Sequence, residues 1–296
     1  MHPQLKSTFV KYLDKFLKEI SNSNIQVILT THSSHIANTI PFQQIRYFKK
    51  HKNNLKCKDL SEFCDQNKDN TSFLQKYLNI TRCDLFFADK AILIEGPSEK
   101  ILLECMITNC EKEGIFKSES PHLSSQYYTI IQIGGAHAYI FFPFMNFLEL
   151  PTLIITDIDS IDKGRKSSLV SNGISTSNNT IKKWYKMLKE KEEKEEKEEK
   201  ITLEEIINLK NEEKTIGDIH IEFQSKEKNM CARSFEQAII NVNRDFFDLT
   251  DKNTEQDIDN YNYGKKTDFA IKLLINPKSF VIPKYIKDGL IWLDIQ

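Results

Sequence analysis

The chain has 296 residues, 40% hydrophobic and 28% charged, enough apolar content to fill the cores of about two domains. Lysine plus arginine number 41 against 42 acidic residues, a net charge of −1, which excludes a uniformly basic nucleic-acid coat and an acidic solvating tail but not a local basic site. No apolar run approaches the ~18 residues of a membrane span, and the N-terminus has neither a signal-peptide core nor a cleavage site, so a cytoplasmic protein without a membrane partner is expected.

In chain order, Leu5, Phe9, Leu13, Phe16, Leu17 and Ile20 recur at helical spacing and predict one amphipathic helix over the first 20 residues. After a polar turn, the apolar run Ile25–Leu29 reads as a buried strand leading into Thr30-Thr31-His32-Ser33-Ser34-His35. Residues 45–85 read as a polar, irregular connector with short helical patches around Phe63 and Leu74. The pattern then changes. Ala91–Ile94 reads as a strand, Glu95-Gly96-Pro97-Ser98 as a tight turn, and Glu99–Cys110 as a helix with Ile101, Leu102, Cys105 and Met106 inward. A second strand over Tyr128–Ile133, a helix through Phe141, Phe144, Met145 and Leu148, and a third strand over Thr152–Thr156 follow. Apolar strands without alternation, separated by helices, predict an α/β fold: a parallel, Rossmann-like sheet covered by helices on both faces. The run 189–200, KEKEEKEEKEEK, reads as a solvated helical insertion held by i,i+4 Glu–Lys pairs. Cys57, Cys64, Cys83, Cys105, Cys110 and Cys231 form no C-x-x-C pair, so a structural zinc site is not expected, and reduced, mostly buried thiols are.

The acidic residues carry the chemistry. Glu95 follows the first strand of this alternation directly and Glu99 opens the next helix; Asp157 and Asp159 follow the third strand. Singly, each reads as a helix-terminal or turn carboxylate. Together they sit at strand C-termini, which share one edge of a parallel sheet, so both pairs converge on one crevice. A D-x-D that stays extended points both carboxylates the same way. Clustered carboxylates repel unless a proton or cation neutralises them, and an all-oxygen donor set suits Mg²⁺ or Mn²⁺.

A strand ending in Glu-Gly, a strand ending in Gly-Gly and a strand ending in D-x-D together resemble the Toprim domain. The runs Ala88–Leu103, Ile130–Phe144, Leu150–Asp159, Thr176–Trp184, Arg233–Ile240, Lys265–Leu274 and Ile282–Leu293 are similar to the version in the overcoming-lysogenization-defect (OLD) family of nucleases. The resemblance implies an OLD-type Toprim nuclease domain over residues 87–296, a connector over 46–86, and over 1–45 the C-terminal part of the ABC-type ATPase domain that precedes Toprim in that family. Ile25–Ile36 is similar to the strand and switch-histidine loop of that ATPase, which implies a γ-phosphate sensor role for His32; His32 and His35 also read as an H-x-x-H pair, or as loop histidines. No G-x-x-x-x-G-K-[S/T] is present, so this chain alone is expected neither to bind nor to hydrolyse ATP, which would require a complete ATPase domain in trans.

The resemblance further implies a metal-site role for Glu236 and a catalytic lysine at Lys266, with Lys265 adjacent. The implied reaction is phosphodiester hydrolysis of DNA with two Mg²⁺ or Mn²⁺ ions shared by Glu95, Glu99, Asp157 and Asp159 and supported by Glu236. Gly96 and Ser98 would let the backbone approach, and Lys163, Arg165, Lys166, Lys182 and Lys183 would track the DNA backbone or form a solvated surface. The incomplete ATPase portion implies a truncated or split defence nuclease, working as a homodimer or with a separately encoded ATPase half. The alternative is a non-catalytic remnant that binds DNA or a partner ATPase subunit.

Overall fold

A computed structural model of the chain describes residues 3–21, 25–37, 39–51, 54–81, 84–117, 121–134, 137–191, 201–276 and 280–296. It divides into two compact units, Met1–Ala88 and Asp89–Gln296.

In the first unit the expected amphipathic helix forms as α1 (Pro3–Ser21), with Leu5, Phe9, Tyr12, Phe16 and Ile20 exposed. The expected strand at Ile25–Leu29 does not form: the segment has no regular structure, and Ile28 is 80% exposed. A buried strand needs ladder partners for its N–H and C=O groups, and the strands described in this unit pair only with each other. His32 lies exposed just beyond that segment, before the one-turn helix α2 (Ser34–Ala37), which carries His35. The described residues between 45 and 81 are largely regular rather than irregular. Strands β1 (Arg46–His51) and β2 (Asn54–Asp59) pair antiparallel, and the Arg46–Asp59 ion pair at 2.8 Å closes their open end. Asp59 then caps helix α3 (Leu60–Gln66) by accepting from Ser61 N at 2.8 Å, and helix α4 (Lys68–Thr81) follows. Phe63, Leu74 and Leu78 are buried here, which agrees with the two helical patches read from sequence.

The second unit is the α/β domain expected. Its elements are β3 (Lys90–Ile94), α5 (Pro97–Lys112), β4 (Tyr128–Gln132), α6 (Phe142–Leu148), β5 (Thr152–Ile155), β6 (Ser160–Ile161), β7 (Ser175–Thr176), α7 (Asn179–Lys191) and α8 (Leu203–Ile207). Strands β8 (Thr215–Ile216), β9 (Ile219–Glu222), β10 (Lys226–Glu227) and β11 (Met230–Cys231) follow, then α9 (Phe235–Val242), α10 (Glu255–Asp259), α11 (Lys266–Leu274) and α12 (Lys284–Asp294). The central sheet runs β4-β3-β5-β9-β8, with β4, β3, β5 and β9 parallel and β8 antiparallel at the edge. Ile92 and Ile94 of β3 and Leu153 and Ile155 of β5 join one core with side chains of α5, α9, α11 and α12. The intervening Ala91, Leu93 and Ile154 are buried as well, so both faces are covered.

The chain leaves β3 for β4 on one side and leaves β5 for β9 on the other. The C-terminal ends of β3 and β5 therefore flank a topological switch point, where open α/β sheets build their crevice. Helix α12 seals the sheet from one face: a Cβ built at Gly289 would lie 2.7 Å from Leu153 Cδ1 and 3.1 Å from Glu222 Cγ. At the other end of β3, the buried Lys90 ammonium donates to the main-chain oxygens of Leu293 (2.5 Å) and Asp294 (3.1 Å) at the end of that helix. Burial holds the Lys90 pKa below its ordinary value despite the nearby Asp294 carboxylate. The charged run reaches the described structure only as the end of α7; residues 192–200 and their expected ion pairs lie outside the described residues. Of the five cysteines described, Cys64, Cys110 and Cys231 are buried and none is bonded to another.

Gly289→Val is expected to destabilise the second unit by about 1–3 kcal/mol, because the sheet beneath is already close-packed. A urea midpoint equal to that of the wild type would show that the α12–sheet contact has slack.

Candidate active site

Each candidate residue is set by a local feature of its element. Strand β3 ends at Ile94 and delivers Glu95, half-buried, to the crevice. Gly96 is the N-cap of α5 and Pro97 its first residue, a position where the fixed φ of proline suits the helix and its missing N–H is not needed. A Cβ at Gly96 would stand 2.8 Å from Glu99 Oε2, so any side chain there would displace the Glu99 carboxylate. Glu99, in the first turn of α5, is 2% exposed and its Oε2 has no hydrogen-bond partner. Burial, then the charges of Glu236 and Glu95, raise its pKa from 4.5 to about 7.

Beyond β5 the chain does not stay extended through Asp157-Ile158-Asp159, so the condition under which a D-x-D aligns its carboxylates is not met. Asp159 has φ +48°, a left-handed bend that turns the chain into β6. Asp157 is buried, and its Oδ1 accepts from Gln224 Nε2 at 2.6 Å and from Phe235 N at 2.8 Å. Burial and the charges of Glu95, Glu99, Asp159 and Glu236 hold its pKa well above the ordinary range. Asp159 is half-buried and raised to about 6, by burial first and by Glu95, with Arg233 and Lys266 opposing.

Helix α9 brings Glu236, fully buried, so that its Oε1 accepts from Ser98 Oγ at 2.7 Å and its Oε2 faces Lys266 Nζ at 3.1 Å. Ser98 Oγ also lies 3.0 Å from the Lys266 carbonyl, so one hydroxyl proton is shared between α9 and α11. Lys266 opens α11. Burial alone would lower its pKa, but the Glu236, Asp157 and Glu99 carboxylates hold it well above the lysine range, and it stays charged. Lys265, one residue before α11, is exposed. The ion pair to Glu236 distinguishes the two lysines, and only Lys266 joins the carboxylates.

Three supporting residues were not found by reading the sequence. Asn178, buried, donates through Nδ2 to Glu95 Oε1 (3.1 Å), Thr156 Oγ1 (2.7 Å) and Asp157 O (2.7 Å), and accepts from Thr180 N (2.9 Å). Thr156 Oγ1 donates to Glu95 Oε1 in a short hydrogen bond. Gln224, besides holding Asp157, accepts from Ile158 N at 2.8 Å. Only Gln224 had a usable signal: it lies just past the end of β9, as Glu95 and Asp157 lie past β3 and β5.

Lys163, Arg165 and Lys166 occupy an exposed turn after β6, and Lys182 and Lys183 the exposed start of α7, where Lys182 Nζ reaches Ser177 O at 3.3 Å. Among the described residues no group of three or more His, Cys, Asp or Glu side chains is placed so that it could hold a metal ion as it stands. The carboxylates are balanced by Lys266 and by hydrogen-bond donors, and burial and mutual charge shift Glu99, Asp157 and Asp159 toward the protonated form. No described helix is long and apolar enough to cross a membrane.

A switch-point crevice lined by strand-end carboxylates defines a class, and residues 86–159 match the family model described as the Toprim domain of overcoming-lysogenization-defect-protein-like proteins. The chain therefore carries an OLD-like Toprim domain, with Glu95, Glu99, Asp157 and Asp159 inside the matched segment and Glu236 and Lys266 beyond it. Over 345 aligned residues the chain is 28% identical to endonuclease GajA of Bacillus cereus (strain HuB5-5), an alignment that covers 99% of this chain and 47% of the relative. The chain thus spans about half the length of that curated relative.

The raised carboxylates give a pH signature in metal-free protein. Glu99 moves from 4.5 to about 7, so the folded state keeps a proton that the unfolded chain releases. This contribution to stability is full below about pH 4 and lost as pH rises through about 7, worth up to ~3 kcal/mol. Metal-free Glu99→Gln should match the wild type in thermal midpoint at the acid end and exceed it at mildly alkaline pH; parallel profiles would rule out this assignment.

Proposed function

We propose that the chain is a divalent-metal-dependent endodeoxyribonuclease that hydrolyses phosphodiester bonds at this crevice. The observation that carries the reading is the gathering of Glu95, Glu99, Asp157, Asp159 and Glu236 beside one charged lysine, in a Toprim domain. The donor set fits Mg²⁺ or Mn²⁺: it is all oxygen, the buried Glu99 Oε2 lacks a partner, and Gly96 keeps side-chain atoms away from it. These five carboxylates would hold two ions. When bound, such ions supply a lowered water pKa and offset charge on phosphate oxygens.

The chain's own residues do the rest. Gln224 and the Phe235 N–H fix one oxygen of Asp157, leaving the other for a ligand. Asn178 and Thr156 hold Glu95 Oε1 in the same way. Lys266, a point charge paired to Glu236, faces the scissile phosphate and offsets charge on the departing oxygen. Lys163, Arg165, Lys166, Lys182 and Lys183 track the DNA backbone, which makes affinity salt-dependent. ATP enters this reading only through a complete ATPase domain supplied in trans, with His32 as its phosphate sensor, in a homodimer or with a separately encoded half. The setting is the cytoplasm, and the role is antiphage defence.

Supercoiled plasmid incubated with Mg²⁺ or Mn²⁺ tests the reading. Wild-type protein should nick or linearise it, and Asp157→Asn and Glu95→Gln should each lower the rate by more than about a hundredfold, beyond what loss of a residue that merely supports a metal ligand costs. Cutting that survives both substitutions would remove the chemistry from this crevice. Plasmid binding without cutting by the wild type would instead mark a non-catalytic DNA-binding protein.

A further inference from the structure

Arg233 stands next to the carboxylates without being committed to any of them. It lies on the link between β11 and α9, where its carbonyl accepts from Asp159 N at 3.3 Å and its own N–H donates to Gln237 Oε1 at 3.2 Å. Two residues on, Phe235 N holds Asp157. The main chain of Arg233 is thus tied to Asp159, and the same short stretch reaches Asp157 through Phe235.

Its side chain is a different matter. The side chain is 26% exposed, and its Nε is buried with no hydrogen-bond partner. Its one ion-pair neighbour, Asp259 Oδ1, lies 4.0 Å from an Nη, beyond hydrogen-bond range, and already accepts from Gln237 Nε2 at 2.7 Å. An arginine carries five N–H donors in a fixed planar fork, and among the described residues none of them is engaged in a hydrogen bond. Buried donors are almost always satisfied, so the orphan Nε marks a guanidinium that the fold itself leaves without a partner, while the exposed part of the side chain can be reached from outside. The charge is felt at the site: Asp159, raised by burial and by Glu95, is partly drawn back by Arg233. The group is near enough to act on the crevice, and its donors are free.

An anion with two oxygens on one atom matches a guanidinium fork, and an uncommitted lysine would match it less well. We propose that Arg233 is a phosphate-binding residue of this crevice, its guanidinium taking non-bridging oxygens of a DNA phosphodiester beside Asp159. The proposal rests on the nuclease reading for the identity of its ligand. It adds a second cation to Lys266, one that acts by gripping the backbone rather than by facing the departing oxygen.

Binding of a short fluorescent DNA duplex in EDTA, titrated against KCl, tests the contact apart from the chemistry. Arg233→Gln should bind more weakly, with the slope of log affinity against log salt shallower by about one. In Mg²⁺ its plasmid cleavage should fall about tenfold or more, chiefly through a raised KM. Arg233→Lys should restore the salt slope while KM stays raised, because the fork is lost. A wild-type thermal midpoint in both variants establishes that the fold is intact; should Arg233→Gln fail to fold, Arg233→Lys with a wild-type KM would overturn the proposal. Wild-type slope and rate in Arg233→Gln would overturn it too, and would leave the nuclease reading standing. A slope change in a protein that binds but never cuts would keep the phosphate contact and sink the nuclease. Wild-type protein that binds no duplex at any salt concentration would overturn both.

Discussion

Mutual repulsion among carboxylates at the ends of β3 and β5 is the constraint around which the second unit is arranged. Glu99, Asp157 and Glu236 are taken out of water, where charge is expensive and like charges oppose each other strongly. The fold meets this in three ways at once. Burial and mutual charge push the pKa values of Glu99 and Asp157 upward, Lys266 pairs with Glu236, and amide and hydroxyl donors converge from distant parts of the chain. Asn178 comes from the start of α7, Gln224 from the end of β9, Ser98 from α5 and Phe235 from α9. The elements that cover the sheet are the same elements that supply those donors, so building the core and balancing the charge are one task.

How much of this could be read from sequence follows from how local each signal is. Strands β3, β4 and β5 and helix α5 were legible because unbroken apolar runs alternate with helical spacing, and Glu95 and Asp157 were legible because each directly follows such a run. The same rule failed at Ile25–Leu29, whose residues look like a buried strand and lie exposed without ladder partners. It also missed the β1–β2 pair, whose Phe48 and Leu55 point largely into solvent and leave no inward-outward alternation to detect. Glu236 and Lys266 were reached only through the family resemblance. Asn178 could not be reached by spacing, since its bond to Glu95 spans 83 positions. The bend at Asp159 was invisible for another reason: nothing in the tripeptide Asp-Ile-Asp announces a positive φ on its last residue.

The two cations near the site illustrate how similar charges come to differ. Lys266 is committed, held by the carboxylate of Glu236, and its ammonium is a compact charge at a fixed place. Among the described residues Arg233 is hydrogen-bonded through its main chain only, and its planar head, 4.0 Å from Asp259, keeps its donors. The exposed Lys163, Arg165, Lys166, Lys182 and Lys183 form a third population at the surface, with correspondingly small individual effects.

The link between Lys90 and the end of α12 bears on synthesis. Lys90 belongs to the first strand of the sheet, yet the oxygens that satisfy its buried ammonium belong to residues 293 and 294. A ribosome that has made β3 must add about two hundred more residues before those acceptors exist, a delay of tens of seconds at ordinary elongation rates. During that interval the strand cannot settle in its final burial without stranding a charge. The Ser98 hydroxyl shared with α9 and α11 waits nearly as long. The carboxylate crevice therefore takes its final shape only once α12 has emerged, and a shorter nascent fragment carries its acidic residues without the arrangement seen in the finished fold.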